Sequence, residues 1–219
     1  MDSPDILKKT KIDNVFNFIK IGFATIPWCG GIATLMDEYI PKSTEIALNK
    51  FLKYVGEKIK ELEDKIDFKT INEEEFAETF KSCYLGVIRT TREEKIKIFA
   101  RIFANIFLKE GESEKIKYEE LDHLVRTIDN LSVGSLKVMV IAYKYSKNNK
   151  NKGFNFETLF KLIDGIDVYL AFGLVNELNT ANLLHIKTYP TVITANYGNF
   201  PIEITELGIR FVEKFAYDL

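Results

Sequence analysis

The sequence predicts a mainly α-helical protein in two parts, a helical bundle over residues 1–130 followed by a smaller α+β module over residues 131–219. Three observations predict it. Apolar residues recur at helical spacing through the first part, and the run from Ile98 to Leu108 is apolar on every face but one. After Ser132 the long periodic runs give way to short elements, two of which alternate apolar and polar residues as strands do.

A chain of 219 residues accommodates one large or two small domains. Its 46% of hydrophobic and 28% of charged residues are the balance of a globular protein, which excludes disordered and fibrous classes. A formal net charge of -2 lacks the basic excess of a wholesale polyanion binder, so only a local basic face remains for that chemistry. Cys29 and Cys83 are too few for a disulfide framework and read as free thiols in a reducing compartment. The N-terminus has no basic stretch leading into an apolar run, so the expected location is cytoplasmic.

Ile6 to Ile26 has helical spacing and stops at Pro27, Trp28-Cys29-Gly30-Gly31 makes a bend, and Ile32 to Ile40 resumes a short helix. Within this region Val15 to Met36 carries Lys20 as its only charge and is about long enough to span a bilayer. Pro27 and the glycine pair cut the run, so a hairpin packed in the core is expected. The alternative is a membrane-perturbing effector, for which the stretch resembles the buried hairpins of pore-forming toxins.

The next helix carries Leu48, Leu52, Val55, Ile59, Leu62 and Ile66 at spacings of 4, 3, 4, 3 and 4, the coiled-coil period, with charge on its other faces. This pattern predicts a helix on the outside of the bundle with a seam open to a protein partner or a second copy. Lys53 with Glu57, Lys60 with Asp64 and Glu61 with Lys65 are spaced as i,i+4 pairs. Glu73-Glu74-Glu75 favours the start of a further helix with Phe76, Phe80, Cys83 and Val87 as its inner stripe. Thr91-x-x-Glu94 reads as a capping box for the helix that reaches Leu108, whose apolar faces place it at the bundle centre. A polar break at Gly111-Glu112-Ser113 precedes a helix from about Lys115 to Asn130.

Past the boundary, helices are predicted from Val133 to Tyr145, over Phe156 to Ile163, and from an Asp167 N-cap to Thr180. A strand over Leu183 to Tyr189, a tip at Ala195 to Asn199, a second strand over Pro201 to Thr205 and a last helix complete the module. This order, with the phrases Ala181-Asn182-Leu183-Leu184 and Ile204-Thr205-Glu206-Leu207-Gly208, resembles the winged-helix family. The first part resembles uncharacterised bacterial helical proteins that combine an Ile-Pro-x-x-Gly-Gly turn with a Thr-x-x-Glu-Lys helix, here Ile26 to Gly31 and Thr91 to Lys95. That resemblance brings no activity with it, only a context of mobile elements and phage defence.

The winged-helix resemblance implies a third helix that enters a major groove, presenting Tyr169, Gly173, Asn176, Glu177 and Thr180. Asn176 would then contact adenine and Thr180 a phosphate, with Lys147, Lys150, Lys152 and Lys161 nearby and Lys187 near the wing. Against this, no Lys or Arg occurs between Asp164 and Asn182, while Asp164, Asp167 and Glu177 are acidic. No phosphate-cradling, dinucleotide-binding, zinc or nucleophile-elbow motif occurs, and the two histidines, His123 and His185, lie in different parts. The expectation is therefore a non-enzymatic regulatory or interaction protein with no cofactor, no metal and no catalytic residue. Its expected partner is a protein or a second copy, with DNA as the other candidate.

Overall fold

A computed structural model describes residues 42–67, 71–149, 154–188 and 200–219. Among these the protein is mainly helical, with eight α-helices and one two-stranded sheet. The chain divides into two compact units, the first ending at Arg126 and the second running from Thr127 to Leu219. The stretch Val15 to Met36 with Cys29, the cations Lys150 and Lys152, and the hairpin tip Ala195 to Asn199 lie outside the described residues.

In the first unit α1 (Lys42–Glu61), α2 (Glu73–Ile88) and α3 (Glu93–Asn105) pack on one another, and the unit boundary falls inside α4 (Tyr118–Asn130). The expected centre is the observed one. In α3, Ile96 and the residues from Ile98 to Asn105 are buried, with Arg101 alone half-exposed. Rings of Phe51 from α1 and of Phe76 and Phe80 from α2 stand 5.9, 5.3 and 5.5 Å from that of Phe103, in the tilted geometries that aromatic quadrupoles favour. Gly86 lets α2 approach α3 closely, because a Cβ there would sit 2.4 Å from the Phe99 ring.

The seam of α1 is not open to a partner. Leu48, Val55, Ile59 and Leu62 are buried, Leu52 and Ile66 are half-buried, and Ala47 and Phe51 join the inner face. Because α1 packs against both α2 and α3, it needs a wider apolar stripe than a two-helix seam, and the rotation that supplies it turns Phe51 inward and Leu52 partly out. Lys65 also departs from its expected partner on the same helix and pairs with Glu114.

Thr91 does not cap α3. The helix starts at Glu93 with Arg92 at the N-cap, and the Arg92 N–H is taken by Thr90 Oγ1 at 3.1 Å. The start is fixed across the helix pair instead, since Glu93 accepts from Tyr54 Oη at 2.7 Å and Lys50 Nζ at 3.3 Å, both on α1. At the other end α3 stops before the apolar run does. Buried Asn105 donates from Nδ2 to the Glu114 carbonyl and accepts from the Ile116 N–H, each at 2.8 Å, and so organises the loop that follows. Beyond it Leu108 bridges to Ile66, where the Asp67 N–H donates to Phe107 O and the Lys109 N–H to Lys65 O.

The second unit runs α5 (Val133–Asn148), α6 (Phe156–Leu162), α7 (Val168–Thr180), β1 (Leu184–Ile186), β2 (Ile202–Ile204) and α8 (Glu206–Phe211), the last continuing into a π-helical turn over Val212–Ala216. The helices open on Ser132, Asn155, Asp167 and Thr205, whose side chains accept the orphan N–H groups of the first turn. The strands pair antiparallel with Leu184 opposite Ile204 and Ile186 opposite Ile202; Leu184, Ile186 and Ile202 are buried, Ile204 is half-buried and His185 is exposed. A short extended piece that the sequence pattern did not reveal, Phe154 to Phe156, joins the chain at Phe200 to Ile202. It does so through Phe156 N–H to Phe200 O and Ile202 N–H to Phe154 O, both at 3.1 Å.

The two sequence phrases of this unit interlock. Asn182 takes a left-handed φ of 56°, tolerated by asparagine, and so turns the chain from α7 into β1. Thr205 Oγ1 donates to Asn182 O at 2.7 Å and accepts the Gly208 N–H at 3.0 Å. Gly208 lies against the backbone of Leu183, where a Cβ would come within 2.0 Å of the carbonyl oxygen.

Candidate docking face on the second unit

The face that would meet a groove in a DNA-binding module is built by α7 and the turn before it. Ala171, Leu174, Val175 and Leu178 are buried, so helical geometry turns the intervening side chains away from the core. Asp167 accepts the N–H groups of Tyr169 and Leu170 at 2.8 and 3.0 Å, which holds these two residues in the first turn. Both are exposed, Tyr169 by 64% and Leu170 by 49%, and Leu162 at the end of α6 is 43% exposed. Gly165, at a φ of 75°, makes the reversal between the helices. Asp164 and Asp167 are exposed in the same corner.

Of the other residues expected on this face, Gly173 and Thr180 are exposed, while Asn176 and Glu177 are half-buried. Glu177 belongs to the fold. Its Oε2 accepts from the Ser132 N–H at 3.0 Å and from Ser135 Oγ at 2.6 Å, tying α7 to the start of α5.

Of the cations expected to meet phosphate, Lys147, Lys161 and Lys187 each bond to a neighbour within the unit, and Lys150 and Lys152 lie outside the described residues. Lys161 pairs with Glu157 on its own helix, and Lys187 pairs with Glu203 across the ribbon at 2.8 Å. That hydrogen bond holds the Glu203 carboxyl below the usual carboxylate range. Lys147 Nζ donates to Tyr143 Oη at 3.0 Å, and Tyr143 Oη donates to Glu213 at 2.6 Å. The bond to Tyr143 raises the Lys147 ammonium, while burial and then the Glu213 contact raise the Tyr143 hydroxyl. Lys144 and Lys147 lie 5.6 and 5.8 Å from the Tyr217 ring, forming a second exposed cluster on α5 and the C-terminal turn.

Elsewhere the described residues offer less. No group of three or more His, Cys, Asp and Glu among them is arranged to hold a metal ion. Cys83 is buried, donates weakly to Phe99 O at 3.7 Å, and has its thiol pushed up by desolvation, away from the reactive thiolate. A groove of about 550 Å³ in the first unit, between the start of α2 and the loop around Glu110 to Tyr118, mixes isoleucines with carboxylates and lysines. Among the described residues no helix is long and apolar enough to cross a membrane. No protein family, curated protein or solved structure matches this chain.

Proposed function

We propose that the protein is a non-enzymatic regulatory or interaction protein whose second unit is a winged-helix-like module that docks a protein partner through α7. Supporting the winged-helix reading are three helices followed by an antiparallel ribbon and a closing helix, together with the extended piece Phe154 to Phe156 beside β2. The choice of a protein over DNA rests on one observation. The α6–α7 corner exposes Leu162, Tyr169 and Leu170 beside Asp164 and Asp167, with no Lys or Arg between Asp164 and Asn182. Carboxylates oppose a polyanion, whereas exposed apolar area rimmed by charge suits a protein surface.

Fluorescence anisotropy with labelled duplex DNA at low ionic strength tests this. No binding is expected, and binding whose affinity falls steeply with salt would replace the reading with a nucleic-acid one. A synthetic amphipathic helix of leucine and lysine is the positive probe. It is expected to bind the intact protein and to lose affinity for the Leu170→Glu variant.

A further inference from the structure

The second unit carries two exposed clusters of opposite character on different elements. One is the apolar, acidic corner of α6 and α7. The other is the aromatic, basic cluster at the end of α5 and the C-terminal turn, where Lys144 and Lys147 flank the half-exposed Tyr217 ring. We infer that the partner of the α6–α7 corner is a second copy of this chain, which presents Lys144, Lys147 and Tyr217 to Asp164, Tyr169 and Leu170. This inference rests on the proposed use of α7 as a docking face.

Charge complementarity carries the pairing. Asp164 and Lys144 are both exposed; among the described residues Asp164 makes no ion pair, and Lys144 lies over the Tyr217 ring without one. Asp164 and Lys144 therefore form the complementary pair, since Lys147 is shared with Tyr143 and Glu213 on its own face and Asp167 caps α7, and Tyr217 supplies a ring against which Tyr169 and Leu170 can pack. The seam of α1, buried within its own unit, is not available for self-association. Contact between two unlike faces is heterologous, or doubled about a two-fold axis, and in both cases an intact acidic face must meet an intact basic one. Small contact patches of this kind give weak, transient association.

Light scattering of the full chain across protein concentration, at low and high salt, provides the test. The mass is expected to rise with concentration and to fall back as salt screens the contact. Asp164→Lys and Lys144→Glu are each expected to weaken association about tenfold. The double variant carries both reversals, so each of its faces again meets an opposite sign, and association is expected to return; an equimolar mixture of the two single variants should recover it as well. Both positions are exposed, and unchanged circular dichroism confirms that the variants fold. A wild-type chain that stays monomeric throughout, single variants that associate like wild type, or a double variant that does not recover would each overturn the inference. A monomer that still binds the leucine–lysine helix leaves the docking reading standing, whereas salt-dependent DNA binding removes that reading itself.

Discussion

Thr79 is buried on α2, and its Oγ1 has no hydrogen-bond partner among the described residues. A buried hydroxyl without a partner has lost its hydration for nothing, so Thr79→Val, which keeps the shape and removes the polar atom, is expected to stabilise the protein by about 1 kcal/mol in urea unfolding. Glu93 is the opposite case, a carboxylate with several donors. The Tyr54 hydroxyl first, then Lys50 and Lys97, hold its carboxyl down from the usual 4.5 to about 2, and the same contact pushes Tyr54 up to about 12. A depressed carboxyl contributes stability that is present above pH 4.5 and is lost as pH falls toward 2. Unfolding curves taken across that window should therefore flatten in Glu93→Gln. Neither role was legible in the sequence, where Glu93 is one of two adjacent glutamates and Tyr54 stands 39 positions away. Glu177 was hidden in the same way, since its serine partners lie 45 and 42 positions off.

At the scale of elements the sequence reads well where the signal is local. The caps at Asp167 and Thr205 accept their helix N–H groups as their residue types suggest, because an N-cap needs only a side-chain oxygen and the next few N–H groups. It reads poorly where a second element decides. The heptad spacing of α1 predicts a narrow seam, but contact with both α2 and α3 widens the buried stripe and consumes it. The Thr91 capping box gives way because Glu93 is anchored to α1, which sets where α3 begins. Gly208 shows how a short phrase encodes a long-range contact: its bare Cα admits the Leu183 carbonyl between α8 and the start of β1. Gly208→Ala should improve helix propensity yet destabilise the fold by about 3 kcal/mol, as the contacting atom is backbone and cannot swing aside. Thermal unfolding followed by circular dichroism would measure it.

For the whole molecule, each unit holds its own aromatic core. The first is centred on Phe103, and in the second Phe156 stacks on Phe200 at 4.8 Å while Phe211 and Phe215 are buried. A fragment from Thr127 to Leu219 is accordingly expected to fold alone, giving a helical spectrum and a cooperative melt; a flat, non-cooperative melt would show that its core needs the first unit. By itself the sequence determined the mainly helical character, the central position of the Ile98 to Phe103 segment and the three-helix, ribbon and helix order after Ser132, because periodicity, caps and turn residues act over a few positions. Tertiary structure alone decided that the α1 seam is buried, that Glu177 serves the fold and that Lys161 and Lys187 are paired within the unit. Which apolar face is covered and which charge is answered depends on what packs opposite it, and that neighbour is set by the path of the chain rather than by the spacing of its residues.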